Sequence, residues 1–252
     1  MSRGTKQFIY SMFFFLILIF LGYIFLYPFL KTPATCFDNI QNQGETGVDC
    51  GGPCEPCVIK NVQPLTISNN IKVLNNGSYQ AVLVQISNNN IDVDAQNFVY
   101  TVSFYDNNGH IINSQDGNDF IAAGSQKYLD LFNTGNNFVA KATLQIVTTT
   151  WVLSDQSSKP NVILQNLQYT TTTNSVEISG KVVNQNSFDV WAKILAIINT
   201  TANTNLFVYH TVINNISSLQ SNDFHITVPL STDLLNRLDL NKTQVIVYAK
   251  KL

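Results

Sequence analysis

Residues 98–111 read FVYTVSFYDNNGHI. Apolar and aromatic side chains run through 98–105 with the short period of a strand, and a polar break of Asp106, Asn107, Asn108, Gly109 and His110 follows before Ile111. An Asn-Gly pair supplies the positive φ angles of a tight turn. The stretch therefore predicts a β-hairpin, and its surroundings an all-β fold.

The same period continues on both sides. Residues 79–86 (YQAVLVQI) and 138–153 (FVAKATLQIVTTTWVL) are the clearest neighbouring strands, in a region separated into short runs by Asn, Gly, Ser and Asp from Val58 onward. Residues 154–160 (SDQSSKP) lack a strand pattern, end in proline and read as a linker. Beyond it, 161–169, 176–184, 190–199, 206–213, 223–228 and 244–250 are candidate strands at the spacing of a second sandwich. Residues 58–153 and 161–252 are thus expected to be two tandem immunoglobulin-like β-sandwiches of roughly 100 residues each. Residues 88–95 (NNNIDVDA) also line up with 184–192 (NQNSFDVWA) after one inserted residue. That suggests an internal repeat; convergence in an Asn-rich chain is the competing explanation.

Val102-Ser103-Phe104-Tyr105-Asp106, followed by Asn-Asn-Gly, resembles the strand-and-hairpin core of FxLYD-type immunoglobulin-like domains of bacterial envelope proteins. The resemblance implies a sandwich and leaves its topology open. Val102 and Phe104 depart from that family's aromatic and aliphatic pattern.

Residues 8–30 (FIYSMFFFLILIFLGYIFLYPFL) carry no charge. As a helix they exceed the roughly 30 Å hydrocarbon core of a bilayer. Arg3 and Lys6 precede the stretch and only Lys31 closely follows it, which favours residues 1–7 in the cytoplasm and the bulk of the chain outside. Tyr10, Tyr23 and Tyr27 suit the two interfaces. A cleaved signal peptide is the competing reading, with residues 32–34 as its cleavage site, but the apolar region of such peptides is usually about 7–15 residues.

All four cysteines, Cys36, Cys50, Cys54 and Cys57, fall within 22 residues that follow the anchor. In an exported segment an even count predicts two disulfides. Zinc or an iron–sulfur cluster fits a reducing compartment better. Of the three connectivities, Cys36 with Cys54 and Cys50 with Cys57 is placed marginally first, and the sequence leaves the choice open. Residues 36–57 (CFDNIQNQGETGVDCGGPCEPC) resemble the C-x-D-G-x-x-N-x-x-E-x-x-x-D-C-G-G-x-C-x-x-C element of bacterial and archaeal surface proteins. Asn39 stands where that element commonly has Gly, a mild departure because Asn tolerates a left-handed turn. The resemblance implies an extracytoplasmic structural element with no activity of its own. Asp38, Asn42, Glu45 and Asp49 could supply oxygen ligands to calcium; alternatively they cap turns by accepting from backbone amides.

Charged residues make up 12% of the chain, against about 25% in typical domains. A net charge of −2 leaves no electrostatic footprint for nucleic acid. Only three histidines occur, His110, His210 and His225, and no G-x-S-x-G, H-E-x-x-H or phosphate-loop motif accompanies them. No enzyme and no cofactor other than calcium is expected. Trp151 and Trp191 are read as core residues of the sandwiches. Recognition on a sandwich resides in its loops, so Asp106 to His110, together with Asn184, Gln185, Asn186, Ser187 and Phe188, are the candidate binding residues, with an envelope protein or a glycan as ligand. The expectation is a membrane-anchored structural or binding protein; the alternative is an accessory membrane subunit of an export or pilus-like assembly.

Overall fold

A computed structural model describes residues 3–30, 35–76, 79–133, 138–156, 159–202 and 204–252, without the side chains of 28–30. The chain divides into two compact units, Met1–Lys60 and Asn61–Leu252. In the first, helix α1 spans Arg3–Leu30. Its described side chains are exposed on all sides and it is apolar enough to cross a membrane. The competing cleavage site at 32–34 lies outside the described residues. The cysteine module follows, closing on a single helical turn, α2 (Cys57–Lys60).

The second unit is built from antiparallel strands: β1 (Thr66–Ile67), β2 (Lys72–Asn75), β3 (Gln80–Ser87), β4 (Val93–Tyr105), β5 (Ile111–Ile121), β6 (Gln126–Phe132), β7 (Lys141–Leu153), β8 (Val162–Thr171), β9 (Ser175–Asn184), β10 (Val190–Asn199), β11 (Asn205–Ile216), β12 (Ser221–Pro229) and β13 (Gln244–Lys251). A short helix, α3 (Thr232–Leu235), and a 3-10 turn at Leu240–Lys242 precede the last strand. In one sheet β3 lies between β6 and the broken edge formed by β1 and β2, and in its partner sheet β4 lies between β5 and β7. The other two sheets repeat this plan. Strand β9 lies between β8 and β12, and β10 between β11 and β13. Thus β8 takes the place of β1 and β2, and β9 to β13 those of β3 to β7 in order. The aligned motif at 88 and 184 belongs to a repeated topology.

The two sandwiches share an interface and form one body. Along β3, Val82, Val84 and Ile86 enter the core of the first sandwich, while Ala81 and Leu83 join a second core with Leu195, Ile197 and the interior of the other sandwich. The sheet of β3 therefore lies against the sheet of β10, giving four layers. This explains why AVLV at 81–84 and ILAII at 194–198 are uninterrupted apolar runs: a strand buried on both faces loses its polar alternation. The interface aligns the two sandwiches end for end. Phe120 meets Trp191 edge-on near the strand ends where the chain enters, and Asn76 donates to the Pro229 carbonyl at the far ends (2.8 Å). Trp191, expected in a sandwich core, faces the neighbouring sandwich because its ladder partner Lys250 and the adjacent Lys193 point there. Trp151 packs partly buried against the first core. In the linker, Ser154 to Gln156 form a turn, and Ser157 and Ser158 lie outside the described residues.

Candidate functional site

The cysteine module is closed by disulfides Cys36–Cys54 and Cys50–Cys57. Its backbone is unusually contorted, with left-handed conformations at Asn39, Gln43, Gly44, Asp49, Gly51 and Gly52. Asn39, in place of the expected glycine, has φ of +59°. A Cβ on Gly52 would collide with the carbonyl oxygen of Gly44. Gly52→Ala should therefore leave at least one disulfide open in most molecules, detectable as thiol labelling by mass without reduction; complete closure would contradict the account.

Of the four side chains proposed for calcium, Asp38, Glu45 and Asp49 accept from backbone amides, whereas Asn42 donates to the Asp38 carboxylate and its Oδ1 is buried without a hydrogen-bond partner among the described residues. Asp49 Oδ1 accepts from the amides of Asp38 and Asn39, both at 3.0 Å. Asp38 accepts from Ile40 N and Asn42 Nδ2, both at 2.9 Å, and from Thr35 N. The Asn42 bond leads in holding the Asp38 carboxyl below its usual range. Glu45 Oε2 accepts from Asn42 N and Asp49 N. Among the described residues, Asp38, Glu45 and Asp49 do not meet as a metal-sized group; Glu45 meets Cys36 and Cys54, whose sulfurs are bonded to one another and offer no thiolate. Calcium added to chelator-treated protein is accordingly expected to leave the melting temperature within about 1 °C, since only an ion bound to the folded state would raise it. A rise of several degrees would reinstate a calcium site.

The two candidate binding loops lie at opposite ends of their sandwiches and form no joint site. Residues 106–110 join β4 to β5 at the far end. Asp106 Oδ1 accepts from the amides of Asn108 (2.8 Å) and His110 (2.9 Å), and its carbonyl accepts from Gly109 N. Bonding to His110 leads in lowering the Asp106 pKa. Only Gly109 takes positive φ; Asn108 does not, so the hairpin is wider than a two-residue Asn-Gly turn. Beside it Tyr105, Asp106, Asn107, Gly109, Lys141 and Thr143 line an open cleft of about 390 Å³, in which Tyr105 Oη lies 3.2 Å from Thr143 Oγ1. This cleft offers an aromatic ring, hydroxyls and one charge of each sign to a polar ligand.

Within residues 184–188, Asn184 and Asn186 hold the backbone, while Gln185 and Ser187 are exposed. Asn184 is 1% exposed, and its Nδ2 donates to the carbonyls of Phe188, Ile216 and Ser217 (2.8–3.1 Å). Its Oδ1 accepts from Asn186 N and Nδ2, and Asn186 in turn exchanges two bonds with the Asn161 backbone. The first sandwich repeats the network. Asn88, also 1% exposed, donates to Val93 and Ala122 carbonyls and accepts from Asn90, which exchanges two bonds with the Gln63 backbone. In each sandwich an Asn-x-Asn clamp ties the entering chain to the end of the sheets.

The sequence reading missed a charged cluster between the sandwiches. Asp130 on β6 has a fully buried carboxylate; Lys193 Nζ from β10 stands 2.6 Å from Oδ1 without hydrogen-bond alignment, and His210 Nδ1 from β11 contacts Oδ2. Nearby, Lys127 pairs with Asp119 beneath the Phe120 ring, and burial pushes its ammonium down to about 8 against the pull of Asp119. The signal was a lone charge inside an apolar strand: Asp130 in YLDLF and Lys193 in VWAKILAII. His110 contacts Asp106 and His225 contacts Thr227.

No protein-family model and no curated protein matches the chain. Among solved structures it is similar to the N-terminal CBM22-1-CBM22-2 tandem domain of Paenibacillus barcinonensis Xyn10C, at 10% identity over 76% of this chain and 87% of that chain, with a TM-score of 0.14. A likeness that faint carries no argument about function.

Proposed function

We propose that the chain is a single-pass, membrane-anchored protein whose two immunoglobulin-like sandwiches stand outside the cytoplasm and present a binding surface without catalysing a reaction. The observation that carries this reading is the junction of a helix whose residues 8–30 carry no charge with a two-disulfide module a few residues later, because disulfides persist in oxidising compartments. The resemblance of residues 36–57 to a surface-protein element supports the same placement. Gly22 alone gives little signal for close helix packing in the bilayer, which favours a lipid anchor over a packed subunit. Fusing the sandwiches through a buried interface fits a rigid spacer with loops at its far end. The cleft beside Tyr105, Lys141 and Thr143 is the surface we assign to an envelope protein or glycan. The test is capture of envelope proteins and glycans by residues 36–252 without the helix. Retention of partners, lost on substituting Lys141 and Asn107 together, is expected; partners held only through the helix would favour an assembly subunit, and substrate turnover would overturn the reading.

A further inference from the structure

The cysteine module is built inside out. It buries the carboxylates of Glu45 and Asp49 (7% exposed each) beside Cys50 and Cys54, yet exposes Phe37 at 90%, Ile40 at 56%, Val48 at 49% and Val58 at 45%. A small exported module normally turns large apolar side chains inward. These four belong to one neighbourhood, because Asp49 is its node. Asp49 receives the amides of Asp38 and Asn39, which Phe37 and Ile40 flank; Val48 precedes it; and it pairs at 3.6 Å with Lys60 of α2, the turn that carries Val58. Lys60 also donates to the Val48 carbonyl at 3.0 Å.

The occupant follows from the tether. Helix α1 is 28 residues long, which at about 1.5 Å per residue covers both the hydrocarbon core and much of the headgroup regions. Its last residue therefore reaches the membrane surface. Phe37 is seven positions after Leu30 along the chain, a reach of at most about 25 Å. Four exposed apolar side chains held that close to a bilayer, with the exposed Lys60 ammonium beside them, are matched to the interfacial zone, where Phe and aliphatic side chains enter between headgroup and acyl chain and a lysine reaches the headgroups. We propose that this face of the module docks on the bilayer that holds α1, so that the module seats the exposed domains on the membrane. The docking rests on the anchor reading above.

The test uses the full chain in phosphatidylcholine vesicles, with and without acyl chains brominated near the headgroup. Phe37→Trp and Ile40→Trp each add a fluorophore at an exposed position, and the emission of Trp151 and Trp191 in the parent protein is subtracted. At least twofold quenching of the added emission by the brominated lipid is expected at both positions. Added emission unchanged by bromine, in protein that floats with the vesicles, overturns docking while leaving the anchor intact. Protein that fails to float overturns the anchor reading and docking with it.

Discussion

Asp130→Ala should lower the unfolding free energy of residues 61–252 by about 3–5 kcal/mol, the cost of removing one partner from a buried ion pair. The carboxylate is fully buried and takes Lys193 on one oxygen and His210 on the other. Lys193 is only 13% exposed, so deleting Asp130 leaves an ammonium between two sheets with no counter-charge. The partners come from different sandwiches, so the loss registers only if the four layers are stacked in solution. Urea unfolding would measure it. A change below about 1 kcal/mol would mean that the sandwiches stand apart and that Asp130 is solvated. Replacing Asp130 and Lys193 together by Leu and Met should recover most of the loss, because a well-packed apolar pair often equals a buried ion pair.

The second large effect is expected at the clamps. Asn184→Ala removes the donor shared by three carbonyls, those of Phe188, Ile216 and Ser217. Each buried group left unsatisfied costs about 1–3 kcal/mol, although water can reach some of them, so a total of about 2–4 kcal/mol is expected. Asn88→Ala should cost a similar amount, since it breaks the equivalent network in the first sandwich. The same urea experiment checks both. If residues 184–188 were instead a ligand-binding loop, Asn184→Ala would reduce binding and leave stability unchanged.

The parts of the fold that obey local rules were legible. Strand β10 begins and ends at the residues that its apolar run predicted, and β9 and β13 do so within one residue. The helix, the clustered cysteines and the Asn-x-Asn alignment were equally readable, because each is a short-range pattern. Strands β5 and β6 were less so. Strand β5 is polar over most of its length, and β6 turns Lys127 and Asp130 into buried surroundings, where the partners of Asp130 come from the other sandwich. Trp191 was assigned to the wrong interface because periodicity gives the two faces of a strand but not what covers each. Asn184 was taken for a recognition residue since abundant amides look alike whether they face solvent or a neighbouring carbonyl. Only the folded register distinguishes Asn107 in an open cleft from Asn184 in a closed clamp.

The most direct test of the central claim is protease added to intact cells, followed by detection of the chain at both ends. The anchored, outward-facing arrangement predicts that residues beyond the cysteine module are digested and that a short membrane fragment retaining the original N-terminus remains. Digestion only after the cells are opened, or a mature N-terminus beyond Leu30, would contradict it.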